Sequence, residues 1–193
     1  MRNIPQPTKT EVEKYLNKWK SLENYVLQEK SLDKLFFYTY PNNNDIAEIL
    51  VKCSSLNDFY STNIFSIFPV AKHILDLNID ERLRSGDAEL VNDIAKISIG
   101  GKERTFYSFA TKYCSHHFPN DFPIYDSFVE KVLLHFKKAD GFVEFSKDDL
   151  KTYKKFKEIL FLFKKHYGID EYSLKDIDRY LWLLGKDYFP RKY

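Results

Sequence analysis

The chain is short of the residues that build irregular structure. Six glycines and seven prolines among 193 residues leave little material for long loops or linkers. It has two cysteines, Cys53 and Cys114, without close spacing, which excludes a disulfide framework or a cysteine zinc cluster. Five histidines offer no metal-ligand spacing. Two of them, His116 and His117, are adjacent, so a regular helix cannot aim both at one site. Long hydrophobic runs are missing too. A stretch such as Ile159–Phe163 is far too short to cross a bilayer, and MRNIPQPTKT lacks the apolar core of a signal peptide. These absences predict a soluble, cytoplasmic protein with no membrane association, metal or cofactor.

What is present is apolar and aromatic. Hydrophobic residues make up 44% and aromatics 17%, enough to pack an interior for one domain of this length. A net charge of +2 does not announce a nucleic-acid binder. The charge is uneven, however: residues 147–193 hold twelve Lys or Arg against eight Asp or Glu, a net of +4.

Helical periodicity dominates. Val12, Tyr15, Leu16, Trp19, Leu22 and Tyr25 predict one helix over 11–28. Asp45 opens another through Ile46, Ile49, Leu50 and Cys53, and the polar run 54–63 is expected to interrupt it. Ser85-Gly86-Asp87 opens a helix carrying Leu90, Val91, Ile94 and Ile97. Gly100-Gly101 then turns into a helix over 103–117, and Asp126 starts the next. Ser146 with Asp149, and Ser173 with Asp176, are capping-box patterns ahead of two further helices, with Gly168 and Gly185 as stops. No alternating strand pattern is sustained. The expectation is a single all-α domain over 1–193, with its chemistry in about 87–137 and C-terminal helices over 147–185.

Two constellations carry chemistry. Glycines between helices let backbone N–H groups approach a ligand, and a helix N-terminus adds unpaired donors. With Lys102 and Arg104 beside them, Gly100 and Gly101 suit a phosphate cradle; the same residues also suit an ordinary turn between two helices. Asp126 places a carboxylate at a helix N-terminus, where it can stabilise cationic charge or orient a water, or serve simply as an N-cap. Cys114 reads as core.

The order of these parts, with the runs YSFATKYCSHHFPNDFPIYDSFV, IDRYLWLLGK and LNDFYSTNIF, resembles the helix-hairpin-helix DNA glycosylase superfamily, closest to bacterial proteins of the 8-oxoguanine DNA glycosylase-like fold. The resemblance implies double-stranded DNA as partner, a hairpin gripping its backbone, and a flipped-out base. It also implies that Asp126 assists cleavage of the N-glycosidic bond by stabilising oxocarbenium character on the sugar. By the same likeness Gly100, Gly101, Lys102 and Arg104 contact DNA, Asn57 wedges into the duplex, and Tyr125, Phe106 and Ser108 line a base pocket. The family's hairpin carries Gly-x-Gly, whereas these glycines are adjacent. Ser108 falls near the position of the lysine nucleophile of bifunctional members. A monofunctional hydrolase is therefore the expectation, with Lys112 as the fallback amine. Two other readings stay open: a non-catalytic helix-hairpin-helix DNA-binding module, and an all-α protein that docks a protein partner through aromatic surfaces.

Overall fold

A computed structural model describes residues 4–190. In chain order its elements are α1 (Lys9–Lys20), α2 (Glu23–Asp33), a π-helical turn (Lys34–Thr39), α3 (Ile46–Tyr60), α4 (Ile67–Asp76), α5 (Asp80–Arg84) and α6 (Glu89–Ala95). A hairpin of β1 (Lys96–Ile99) and β2 (Lys102–Thr105) precedes α7 (Tyr107–His117). Then come α8 (Ser127–Asp140), a 3₁₀ turn (Asp148–Lys151), α9 (Tyr153–His166) and α10 (Leu174–Tyr188). The fold class is all-α, with one small two-stranded sheet among the described residues.

The chain divides into two compact units: a terminal unit of residues 1–23 and 125–193, and a central unit of residues 24–124. In the terminal unit, α10 packs against both α1 and α8. The Ser173–Asp176 capping box opens α10, and the helix runs straight through Gly185 instead of stopping there. That glycine is needed for close approach: a Cβ on it would lie 2.6 Å from Phe128 Cβ and 2.9 Å from Phe128 O on α8. Gly168 does end α9, with φ +63. Ser146 and Asp149 exchange their capping bonds as expected, although the turn they open is 3₁₀ before α9 begins.

In the central unit, α3 lies against α4 and α7, and α6 lies against α7. Asp45 caps α3 through the N–H groups of Ala47 and Glu48. The helix continues to Tyr60 across the polar run expected to break it, because Leu56 extends the buried stripe of Ile49 and Cys53. It stops at Ser61, which takes a left-handed φ of 48°. The helix expected over 11–28 is likewise two helices, parted at Ser21–Leu22. The short helix α5 has no counterpart in the sequence reading.

The largest correction lies at Gly100-Gly101. The preceding helix ends at Ala95, Ile97 sits in β1, and the glycines form the tip of an antiparallel hairpin with Ile99 paired to Lys102 and Ile97 to Arg104. Both glycines have positive φ, +57 and +74, as a two-residue hairpin turn demands. The next helix starts only at Tyr107, so no helix N-terminus stands directly behind the turn.

Candidate functional site

The helix α7 is buried on nearly every side, yet carries Thr111, Lys112, Ser115, His116 and His117 among its buried residues. Polar groups in such a helix need partners, and these partners define two clusters in the central unit.

The first cluster follows one face of α7 through Ser108, Lys112 and His116, four residues apart in turn. Lys112 Nζ donates to Ser108 Oγ at 2.6 Å and lies 5.1 Å from the centre of the Tyr60 ring. The Tyr60 hydroxyl meets His116 Nε2 at 3.0 Å, and His116 Nδ1 is 3.8 Å from Asp33 Oδ1. Two residues named from the sequence, Ser108 and Lys112, are thus in direct contact.

The second cluster is centred on Asn43, whose side chain uses all four of its hydrogen-bonding positions. Its Oδ1 accepts from Lys52 Nζ at 2.7 Å and from the Tyr113 hydroxyl at 2.6 Å. Its Nδ2 donates to Asp80 Oδ1 at 2.6 Å and to His117 Nε2 at 3.2 Å. The backbone N–H of Asn43 donates to the other Asp80 oxygen. Lys52 is fully buried and spends its remaining protons on the carbonyls of Tyr40 and Asn42. Burial pulls the Lys52 ammonium down to about 8, with Asp80 opposing. Burial, followed by the Lys52 and His116 charges, holds His117 well below its ordinary value, so His117 is neutral. The amide of Asn43 can only donate to Nε2, so the His117 proton sits on Nδ1.

His117 also lines an open cleft of about 420 Å³, walled by Phe36, Phe37, Pro41, Phe118 and Pro119, with Asn120 and Asp121 on its rim. Neither Asn43 nor Lys52 was foreseen. The available signal was Lys52 itself, a lysine three residues after Ile49 and next to Cys53 on the buried stripe of α3.

The remaining residues named from sequence fall as follows. Asp126 is the N-cap of α8, half-buried, with its Oδ1 accepting from Phe128 N at 2.8 Å. Tyr125 is buried; its hydroxyl donates to Glu130 and accepts from Lys151, whose ammonium lies 4.0 Å from the ring centre. Burial pushes the Glu130 carboxyl up, but hydrogen bonds from Tyr125 and Lys147 and the Lys151 charge outweigh it and hold it below the usual range. The Tyr125 ring packs edge-on to Phe156, so Tyr125 is committed to the packing of the terminal unit. Asp126 and Tyr125 belong to the terminal unit, and the other named residues to the central one.

Phe106 is half-buried just ahead of α7, its N–H bonded to Ala95 O. Lys102 and Arg104 are exposed and, two residues apart on β2, share one face of the hairpin. Asn57 organises the end of α3: its Oδ1 accepts from Thr62 Oγ1 and Ile64 N, and its Nδ2 donates to Ile64 O. An amide so engaged builds the turn that follows α3.

A family model described as HI_0787_N, N-terminal domain, matches residues 11–121. The chain belongs to this family. The matched HI_0787_N span contains the Asn43 cluster, the Ser108–Lys112–His116 face and the hairpin, while Asp126 lies beyond its end. A protein of Haemophilus influenzae (strain ATCC 51907 / DSM 11121 / KW20 / Rd), named only as an uncharacterized protein, is 55% identical over 147 residues, which is 76% of this chain and 70% of the relative. No solved structure matches the chain.

Proposed function

We propose that this protein is a DNA glycosylase-like enzyme that hydrolyses the N-glycosidic bond of a flipped damaged or modified base, with Asp126 as the carboxylate. The observation carrying this reading is the placement of Asp126. It is a half-buried N-cap whose Oδ1 is tethered to the first turn of α8 at 2.8 Å, which holds the carboxylate in a fixed direction. A carboxylate so fixed can stabilise the positive charge that develops at the sugar as the base departs, and can orient the attacking water. Removing the base requires no cofactor in this scheme.

The hairpin takes the DNA-gripping role in altered form. Lys102 and Arg104, both exposed on β2, supply positive charge to phosphates, and the glycine tip permits close approach of the backbone. Lys112 is buried against Ser108 and Tyr60, which favours a hydrolytic step over a Schiff base on that amine. A cytoplasmic location goes with such a substrate.

The test is a panel of duplex oligonucleotides carrying different lesions or modified bases, read by strand cleavage at the abasic sites formed. One of them should be processed, and Asp126→Asn should lower the rate by at least a hundredfold while duplex binding persists. Binding with no base release across the panel would leave a non-catalytic DNA-binding module. No salt-sensitive binding to duplex DNA would remove both readings in favour of a protein-docking role.

A further inference from the structure

The geometry points to the cleft beside His117 as a binding site for a planar amino-heterocycle of the nucleobase class. This site uses nothing from Asp126 and is not among the base-contacting positions expected at Tyr125, Phe106 and Ser108.

The cleft's walls are mostly apolar. Three phenylalanines, Phe36, Phe37 and Phe118, and two prolines, Pro41 and Pro119, line it. A volume of about 420 Å³ falls within the range of ordinary small-ligand sites. The walls alone would suit any apolar molecule; the polar groups narrow the choice. His117 lines the cleft, and its Nε2 is taken from within by Asn43 Nδ2 at 3.2 Å, with Lys52 Nζ 3.5 Å away. What His117 has left to present is the Nδ1–H, a neutral donor. The ring cannot swing to offer Nε2 instead without orphaning the Asn43 amide, and Asn43 is itself clamped by Asp80, Lys52 and Tyr113. Phe36 packs against the His117 ring with centroids 4.9 Å apart, which fixes it further.

On the rim, Asp121 supplies an acceptor and Asn120 both an acceptor and a donor. A neutral donor and a carboxylate in one cleft are complementary to a ring nitrogen acceptor beside an exocyclic amine, the pattern of adenine and cytosine. They disfavour phosphate, which the Asp121 charge repels, and they disfavour a plain hydrocarbon, which would leave His117 Nδ1 unpaired. Thymine lacks the exocyclic amine and serves as the contrast.

The same chemistry arrives as a free base or nucleoside, or as a base presented by a nucleic-acid strand. The experiment therefore titrates the full chain, followed by amide correlation spectra, with adenine, cytosine, thymine and single-stranded oligonucleotides rich in each. Saturable shifts at Phe37, Asn120 and Asp121 are expected with adenine or cytosine, and at least fivefold weaker binding with thymine. Phe37→Ala and Asp121→Asn, both at exposed positions, should each weaken binding at least fivefold with an unchanged melting temperature. Oligonucleotide binding that is tighter than the free base and equally sensitive to Asp121→Asn marks a strand-presented base. Equal affinities mark a free ligand. Absence of saturable shifts from either amino-base, thymine binding as well as adenine, or variants that bind like the parent would overturn the site. Base-excision activity is a separate readout, since Asp126→Asn should leave cleft binding intact even if no lesion is ever processed.

Discussion

At the residue scale, Asn43 is the side chain on which the central unit depends most. It satisfies a buried lysine, a buried tyrosine, a buried histidine and the Asp80 carboxylate together. Replacing it with Ala takes the acceptor from the Tyr113 hydroxyl and the closest side-chain acceptor from the Lys52 ammonium, and removes the donor to His117 Nε2. A loss of about 2–4 kcal/mol is expected, measured as a shift of the urea midpoint at constant slope. The Lys52 group also predicts a pH dependence. Its folded value of about 8 lies below the ordinary 10.5, so between those values the unfolded chain holds a proton that the folded chain has released. This group therefore adds stability as pH rises from about 8 towards 10. At lower pH the cost of burying the charge is present in full. Burial raises Tyr107 and Tyr180 above the ordinary 10, and they act in the opposite sense above that pH. Melting temperatures across pH 7–10 should climb less in Lys52→Met than in the parent, whatever that substitution does to absolute stability.

At the scale of elements, the crossing of α8 and α10 is set by Gly185. Alanine is the better helix former by about 1 kcal/mol, yet here its methyl would meet the Phe128 backbone at 2.9 Å. Overpacking should win, and Gly185→Ala is expected to cost about 1–3 kcal/mol in chemical denaturation. That glycine also shows what sequence can and cannot reveal. Beside an apolar stripe a glycine reads as a stop, and at Gly168 the reading holds, because nothing approaches there and the backbone adopts φ +63. At Gly185 the same residue type admits a neighbour that only the packed fold supplies. Caps were legible because their partners lie three residues away, as in Ser173 with Asp176. The β-hairpin was not. Each strand is only four residues, and Lys102–Thr105 is exposed at every position, so no apolar alternation marks it. The Asn43 cluster was hidden for another reason: its members come from a turn, α3, α5 and α7, and no local pattern joins them. Of the candidate site, the helix-capping position of Asp126 and the divergence of His116 from His117 could be read directly, since each follows from backbone geometry over a few residues.

At the scale of the whole molecule, a net charge of +2 means that attraction to DNA must come from where the charges lie. Two exposed groupings are tested first. Lys102 and Arg104 share a face of the hairpin, and on α9 the exposed Lys154 and Lys165 stand about three turns apart along one side. If the hairpin grips the backbone, each phosphate it neutralises releases counterions, and the logarithm of the duplex affinity falls with the logarithm of salt by about 0.9 per contact. The double variant Lys102→Ala/Arg104→Ala should then bind duplex DNA more weakly and with a slope shallower by about 2, measured by fluorescence anisotropy between 50 and 200 mM salt. Its melting temperature should not move, since both side chains are exposed and Lys102 and Arg104 contribute to the strand pair through backbone hydrogen bonds. A variant that binds with the parent's slope would take the hairpin off the DNA. The lysines of α9 would then be the next to remove, through Lys154→Ala/Lys165→Ala, and a slope left unchanged there as well would put the phosphate contacts on residues outside both groupings.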